Sequence, residues 1–239
     1  MRRTPSDRWK EAQKLEKEWW LRWKNRSDMQ EVRMQMQKDA ADHTALLRQY
    51  LKIPSDPSVL QIGTGAQGFV HFCEGTKFLF DPLSIFFKQN FSELVSPESR
   101  IVEGIGESLP FKNNSFDVIF YVQTIDHVDR PLDTVREILR IAKPGAAIMI
   151  SGHVFSSFAA VLHATFGKIV DPMHPHSLTA RGLKKLILQP SVDGKHLVIL
   201  KEQENPIIIP IYPGFPLLQR LGIILGFSPK YLYFILRCE

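Results

Sequence analysis

Val59-Leu60-Gln61-Ile62-Gly63-Thr64-Gly65-Ala66-Gln67-Gly68 is the stretch on which the reading of this chain turns. Val59 to Ile62 is a short, mostly apolar run of the kind that forms a buried strand. It ends in glycines at G-x-G-x-x-G spacing: Gly63, Gly65 and Gly68. A strand that breaks on glycine and enters a helix lets backbone approach a ligand where a Cβ would collide. Asp81 closes a second apolar run, Phe78 to Phe80, eighteen residues after Gly63. A carboxylate at that distance can accept from both hydroxyls of a ribose. The glycines alone would also suit an ordinary turn. With a strand before them and an acid at the next strand's end, they predict an adenosine-containing ligand over the carboxyl ends of a parallel sheet.

Outward from that stretch, the pattern is one of strands alternating with helices. Residues 6–38 lack proline and glycine after Ser6 and are rich in Glu, Lys, Gln, Arg and Met, which predicts one long helix capped by Ser6. Its apolar stripe is Ala12, Leu15, Trp19 and Trp23, at spacings of three and four. All four tryptophans lie in this first stretch, and two readings stay open: packing on the body, or a lid whose indoles line a pocket. A second helix is expected over 39–52, with Ala40, Thr44, Leu47 and Leu51 inward. After the glycine loop come a short helix (69–74), a strand (78–80), a helix (84–91), a short strand (100–102) and a strand (116–122). Asp129 is expected to cap a helix with Pro131 at its first position. Lys143-Pro144-Gly145 should stop that helix, with Lys143 at its negative end. A strand (146–151), an inserted helix within 155–166, a helix (178–189) and a strand (195–201) follow, and 231–237 reads as a last, antiparallel strand. The apolar stretch 206–227 is long enough for a membrane, but Pro206, Pro210, Pro213 and Pro216 cannot continue one helix. A buried connector with a short helix over 217–225 is expected there instead. The alternation means an α/β fold with a mostly parallel sheet. Two parts are expected: an N-terminal helical lid (1–52) and the main domain (53–239), with a cap insertion over about 153–190.

Length and composition agree. A chain of 239 residues with 44% hydrophobic and 23% charged residues can bury a sizeable core. The net charge of +5 is uneven: the first 52 residues hold 13 Lys and Arg against 8 Asp and Glu, which accounts for the whole excess. So mild a surplus reads as a solvated face, and nucleic-acid binding is not expected. Cys73 and Cys238 are far apart and form no disulfide framework, which points to a reducing compartment. Met1-Arg2-Arg3 and the charged residues after it carry no apolar export core, so the expectation is cytoplasmic. No transmembrane segment is expected, while peripheral membrane contact stays open.

Five blocks in order carry a family resemblance. They are Val59 to Gly68; Phe80-Asp81-Pro82; Glu107-Ser108-Leu109-Pro110-Phe111 with Asn114-Ser115-Phe116-Asp117-Val118-Ile119; Asp126-His127-Val128 with Arg130-Pro131; and Arg136 to Gly145. Over roughly residues 45–152 the chain resembles the class I S-adenosylmethionine-dependent methyltransferases, in particular the group with the ubiquinone-biosynthesis type of core. The resemblance implies a three-layer, Rossmann-like, seven-stranded sheet with an antiparallel last strand, and S-adenosylmethionine as cofactor. By position, Gly63, Thr64 and Gly65, with Gly68 closing the motif, approach the methionine part of the cofactor. Asp81 holds the ribose, Pro82 lies against the adenine, Gly106, Glu107 and Ser108 sit at its edge, and Gln123 faces the methionine moiety or the substrate. Two positions depart from the pattern. Gln61 stands where the family usually has an acid that orients the cofactor's amino group, and Ile105 stands where an Asp often accepts from the adenine amino group. Each loss weakens cofactor binding by about 1–3 kcal/mol unless another group substitutes.

The implied activity is in-line methyl transfer to a small molecule, with a slight lean toward a lipophilic or aromatic one. Such transfer needs alignment and exclusion of water, and a base only where an acceptor O–H or N–H must lose its proton. The candidates for that base are His153, directly after the fifth strand, and His174. His127 reads as structural. His174 and His176 with Asp171 make only a weak metal pattern, and no metal is expected. The rival readings are a degenerate, non-catalytic interaction protein built on the same fold and, less favoured, an NAD-dependent oxidoreductase sharing the glycine motif.

Overall fold

A computed structural model describes residues 5–170, 173–206 and 230–239 of the chain. Seven strands form one sheet in the order β3-β2-β1-β4-β5-β7-β6. They are β1 (Ser58–Ile62), β2 (Thr76–Asp81), β3 (Arg100–Glu103), β4 (Phe116–Tyr121), β5 (Ala142–Val154), β6 (Leu197–Pro206) and β7 (Lys230–Cys238). β1 to β5 pair in parallel, and β7 runs antiparallel to both β5 and β6. The last strand is thus antiparallel as expected, but it lies inside the sheet, and β6 forms the edge.

The central strands read as continuous apolar runs because both faces are covered. Alternate residues feed two cores. Leu60, Ile62, Phe80, Ile119, Tyr121, Ile148 and Ile150 face one side, under α4 (Pro131–Ile141) and α6 (Ala180–Leu188). Val59, Leu79, Val118, Phe120, Ala147 and Met149 face the other, under α2 (Met29–Arg48) and α3 (Ser84–Asn90). The period of two in each strand therefore builds three layers.

The N-terminal half of the chain's helical part differs from the sequence expectation. The single helix over 6–38 is two: α1 (Asp7–Lys24) and α2, which also takes in the helix expected at 39–52. The break falls at Asn25 to Asp28. Asp28 caps α2 by accepting from the N–H groups of Gln30 (2.7 Å) and Glu31 (3.3 Å). Asn, Ser and Asp compete for backbone N–H groups and so end helices without proline or glycine. Ser6 caps α1 as expected, accepting from Trp9 N–H at 3.3 Å. The buried face of α1 is Ala12, Gln13 and Trp20, while Trp19 is exposed.

Two capping expectations are corrected. Asp129 does not cap α4; it binds Ser6 instead, accepting from its N–H and its hydroxyl. The N–H of Arg130, at the N-cap of α4, goes to Glu107 Oε1 at 2.8 Å. At the other end, the cation is Lys195, not Lys143. Its ammonium donates to the carbonyls of Arg140 (3.1 Å) and Ala142 (2.9 Å), while Lys143 pairs with Asp117 at 2.7 Å. After β5 come α5 (Ser157–Val170) and α6, capped by Thr179. The connector and helix expected over 206–227, like Asp171, lie outside the described residues apart from Pro206, which ends β6. Among the described residues, no helix is long and apolar enough to cross a membrane.

Candidate functional site

Strand order reverses between β1 and β4, and in such sheets ligands bind over the carboxyl ends of the strands at that point. A cavity of about 630 Å³ lies there, within the ~300–1,000 Å³ usual for small-molecule sites. Its floor is the loop after β1. Gly63 and Gly65 hold φ of +69° and +52°, the left-handed region that suits glycine. At Gly63 a Cβ would run into the Thr124 side chain, whose hydroxyl donates to the Gly63 carbonyl at 3.1 Å. At Gly65 a Cβ would come 2.5 Å from the Trp20 indole. Gly68 lies off the cavity, beneath Leu79, where it leads into a 3-10 turn over Phe69–Phe72 in place of the expected helix.

Asp81, at the end of β2, is buried on the cavity wall. Its carboxylate accepts from the N–H groups of Gly65 (3.0 Å) and Leu83 (2.8 Å). Burial, and then the charge of Glu16, push this carboxyl up to about 7, against the N–H groups of Leu83, Gly65 and Thr64 that pull it down. The acceptor capacity left beyond these N–H groups is what a ribose hydroxyl would use. Thr64, Pro82, Ile105, Gly106, Glu107 and Gln123 also line the cavity, whereas Ser108 does not. Gln61 borders it, but its Oε1 is taken up by the N–H of Val70 at 3.2 Å. Gln123 sits at φ +54°, unusual for a non-glycine residue, with its N–H on the Ser151 carbonyl at 3.1 Å. Such backbone strain concentrates at functional sites.

The far wall is built of histidines. His153, near the end of β5, holds Asp126 through an Nδ1···Oδ2 hydrogen bond of 2.8 Å. Burial would raise the Asp126 carboxyl, but the hydrogen bond from His153 and the charges of His127, His153 and His174 hold it well below the ordinary carboxylate range. An ionised Asp126 fixes the Nδ1–H tautomer of His153 and leaves Nε2 as the basic nitrogen. His174 lies edge-on to His153 (ring centroids 5.4 Å apart), and His127 lies 4.3 Å from His174. Tyr231 of β7 flanks His153 at 4.8 Å. Asp126, His153 and His174 offer ligand-type atoms within 4.8 Å of one another. His176 is elsewhere: it braces the loop through the carbonyls of Val128 (2.8 Å) and Asp129 (3.2 Å). Thus the pair His174 and His176 is split, and His127, read as structural, joins the cavity wall.

The roof is α1. Trp9, Gln13, Glu16, Trp19 and Trp20 all border the cavity. The Trp20 indole packs edge-on to Phe87 (5.5 Å) and Phe91 (6.1 Å), so the two readings of the tryptophans, packing and pocket wall, coincide in one residue. Glu16 and Tyr231 carry no mark of a site residue in the sequence, whereas Gln123 to His127 are expected over the strand ends and the tryptophans allow a pocket wall. Asp126 had a signal, since it belongs to the Asp126-His127-Val128 block.

A glycine cradle, a strand-end acid and a seven-stranded sheet with β7 antiparallel between β5 and β6 define the class I methyltransferase type of fold. Residues 60–150 match the family model described as a methyltransferase domain. The chain is 29% identical over 116 residues to norajmaline N-methyltransferase of Rauvolfia serpentina, covering 42% of this chain and 39% of that protein. It is 34% identical over 77 residues to the ubiquinone/menaquinone biosynthesis C-methyltransferase UbiE of Azotobacter vinelandii, covering 32% of this chain and 28% of that one. The chain therefore spans well under half the length of these curated relatives. Among solved structures, geranyl diphosphate methyltransferase in complex with S-adenosylmethionine shares the fold at TM-score 0.59 and 14% identity, over 83% of this chain and 84% of that one.

Proposed function

We propose that this chain transfers a methyl group from S-adenosylmethionine to a protic oxygen or nitrogen of a small molecule. One observation carries the reading: the glycine cradle, Asp81 and His153, which is held by Asp126 behind it, border a single cavity. The cavity fits the donor, because its floor is glycine backbone packed closely under Thr124 and Trp20 and Asp81 keeps acceptor capacity toward it. In this reading Gly63, Thr64 and Gly65 line the methionine end, Asp81 accepts from the ribose hydroxyls, and Pro82, Ile105, Gly106 and Glu107 border the adenine. When bound, the donor supplies a methyl group on an already electrophilic sulfonium. The protein's part is to align the acceptor, exclude water and take up its proton. His153 Nε2 takes that proton, and Asp126 stabilises the imidazolium that results. Tyr231, His127 and His174 shape the acceptor side. The relatives bear on the accepting atom in opposite senses, one being an N-methyltransferase and the other a C-methyltransferase, and the Asp126–His153 pair is what supports O or N here.

The non-catalytic alternative has one observation in its favour: Gln61 is committed to Val70 and Ile105 offers no acceptor. An oxidoreductase is disfavoured by β7, because doubly wound dinucleotide-binding sheets run 3-2-1-4-5-6 without an antiparallel insertion. Calorimetry with S-adenosylhomocysteine, followed by a methyl-transfer screen over phenols, alcohols and amines, tests the proposal. The expected result is binding and turnover. His153→Ala should lower turnover by roughly 10²–10⁴-fold with homocysteine-product binding unchanged, and a chelator should have no effect. A protein that binds neither donor nor product sinks the proposal.

A further inference from the structure

α1 presents a polar side to the cavity where an amphipathic helix would present an apolar one. Gln13 and Glu16 stand on the same face as Ala12 and Trp20. Polar side chains on the inward face are expected only where they meet something other than a hydrocarbon core. The Glu16 carboxylate is held in place from its own helix: Trp20 Nε1–H donates to Oε1 at 3.3 Å, and Gln13 Nε2–H donates to Oε2 at 3.2 Å. Trp20 in turn lies against Gly65, whose N–H is bound to Asp81. The helix is fastened across the cavity at both ends, by Ser6 to Asp129 and by Lys24 to the Asn90 carbonyl and to Glu93 at 2.7 Å. Meanwhile position 61 lacks an acid, and Gln61 is occupied.

We infer that Glu16 is a second carboxylate of the donor site: α1 carries it across the cavity to the side of Asp81, and the two acids together favour a cationic sulfonium donor over its uncharged thioether product. The inference rests on the methyltransferase reading above. It supplies from the roof the negative charge that the floor lacks at Gln61.

Electrostatics gives the proposal a direct readout. Burial pushes the Glu16 carboxyl up, while the Trp20 indole, the charge of His174 and the Gln13 amide oppose it. Asp81 is raised by burial and by Glu16 itself. Asp39, His43 and Glu107 line the same cavity, with His127, His153, His174 and Tyr231 on its far wall. Asp81, pushed up to about 7, holds part of a proton near neutral pH in the ligand-free protein, and the second acid lining the same cavity favours that. A sulfonium beside Glu16 adds a positive charge that favours ionisation of both acids, and the proton leaves to the buffer. The thioether offers Asp81 only its ribose hydroxyls and therefore releases less of that proton.

The test is calorimetry at pH 7 in buffers of differing ionisation enthalpy, on the wild-type protein and on Glu16→Gln, with S-adenosylmethionine and S-adenosylhomocysteine. The expected result is an extra proton release on binding the sulfonium, beyond that on binding the thioether. Glu16→Gln should abolish that release and weaken the sulfonium by about tenfold, as loss of one nearby charge implies, with thioether affinity unchanged. Glutamine keeps an acceptor for Trp20, and the melting temperature of the ligand-free variant should stay level or rise as like charges part. If the variant does not fold, proton release in the wild-type protein decides. Equal proton release with both ligands, or an unchanged preference in Glu16→Gln, overturns the inference and leaves the methyltransferase reading standing. Failure of the wild-type protein to bind either ligand overturns both.

Discussion

Asp81 and Glu16 are two acids lining one cavity; burial raises both, and the charge of Glu16 raises Asp81 further. In the interval between the ordinary value of 3.8 and about 7, folded Asp81 retains protons that the unfolded chain has released. Linkage then makes its contribution to stability fall as pH rises through that interval and level off above it. His71 works the other way. Burial first, then Lys77 and Arg33, lower it from 6.5 to about 4, so its contribution is lost as pH falls through that range. The two oppose each other in one window, so the comparison must be a difference. Denaturant unfolding of ligand-free protein at pH 5 and pH 8 should show Glu16→Gln gaining stability over wild type at pH 8, and gaining less at pH 5. Equal gains at both values would show that the two acids do not interact. At this scale the sequence exposed what sits on the loop after β1, because glycine and a strand-end acid announce their roles through backbone sterics. It hid Glu16, because a helix is read for its apolar face and this face looks onto a cavity. It also hid the Asp129–Ser6 contact, since nothing local pairs residues 123 apart in the chain.

At the scale of elements, α1 depends on its first turn. Ser6 Oγ accepts from Trp9 N–H, and the same hydroxyl donates to Asp129. Ser6→Ala removes both contacts and should cost about 1 kcal/mol, the usual worth of a cap. Hydrogen exchange should show faster amide exchange over Trp9 to Gln13, with β1 and β4 unaffected. Uniformly faster exchange would mean that α1 has no independent mobility. The break between α1 and α2 was legible in principle, in the cluster Asn25 to Asp28. It is easily passed over because neither proline nor glycine marks it. The reach of β5 from Ala142, through Pro144 and Gly145 at φ +80°, was not legible. Pro-Gly reads as a stop, and here the ladder with β4 shifts register to absorb it.

For the molecule as a whole, stability should hinge on β7, because it bonds to strands on both sides. Phe234, Ile235 and Leu236 are all fully buried, and they feed both cores. Phe234→Ala should cost about 3–5 kcal/mol by the usual large-to-small scale. Met34→Ala, on the exposed side of α2, should stay within about 0.5 kcal/mol. Chemical denaturation of the two variants checks the contrast, and similar losses would mean that β7 adds little. That seven strands form one sheet followed from alternation and from the family resemblance. That β7 lies inside and β6 at the edge did not, since strand order between distant segments leaves no mark in the local pattern.

The two fastenings of α1, Ser6 on Asp129 and Lys24 on Asn90 and Glu93, carry a kinetic consequence. A roof tied down at both ends lifts only after one tie has let go. Ligand exchange then acquires a first-order step that added ligand cannot hurry, and association levels off at the frequency with which the helix releases. Under the proposed function, the frequency of that release would set an upper limit on how fast ligands exchange.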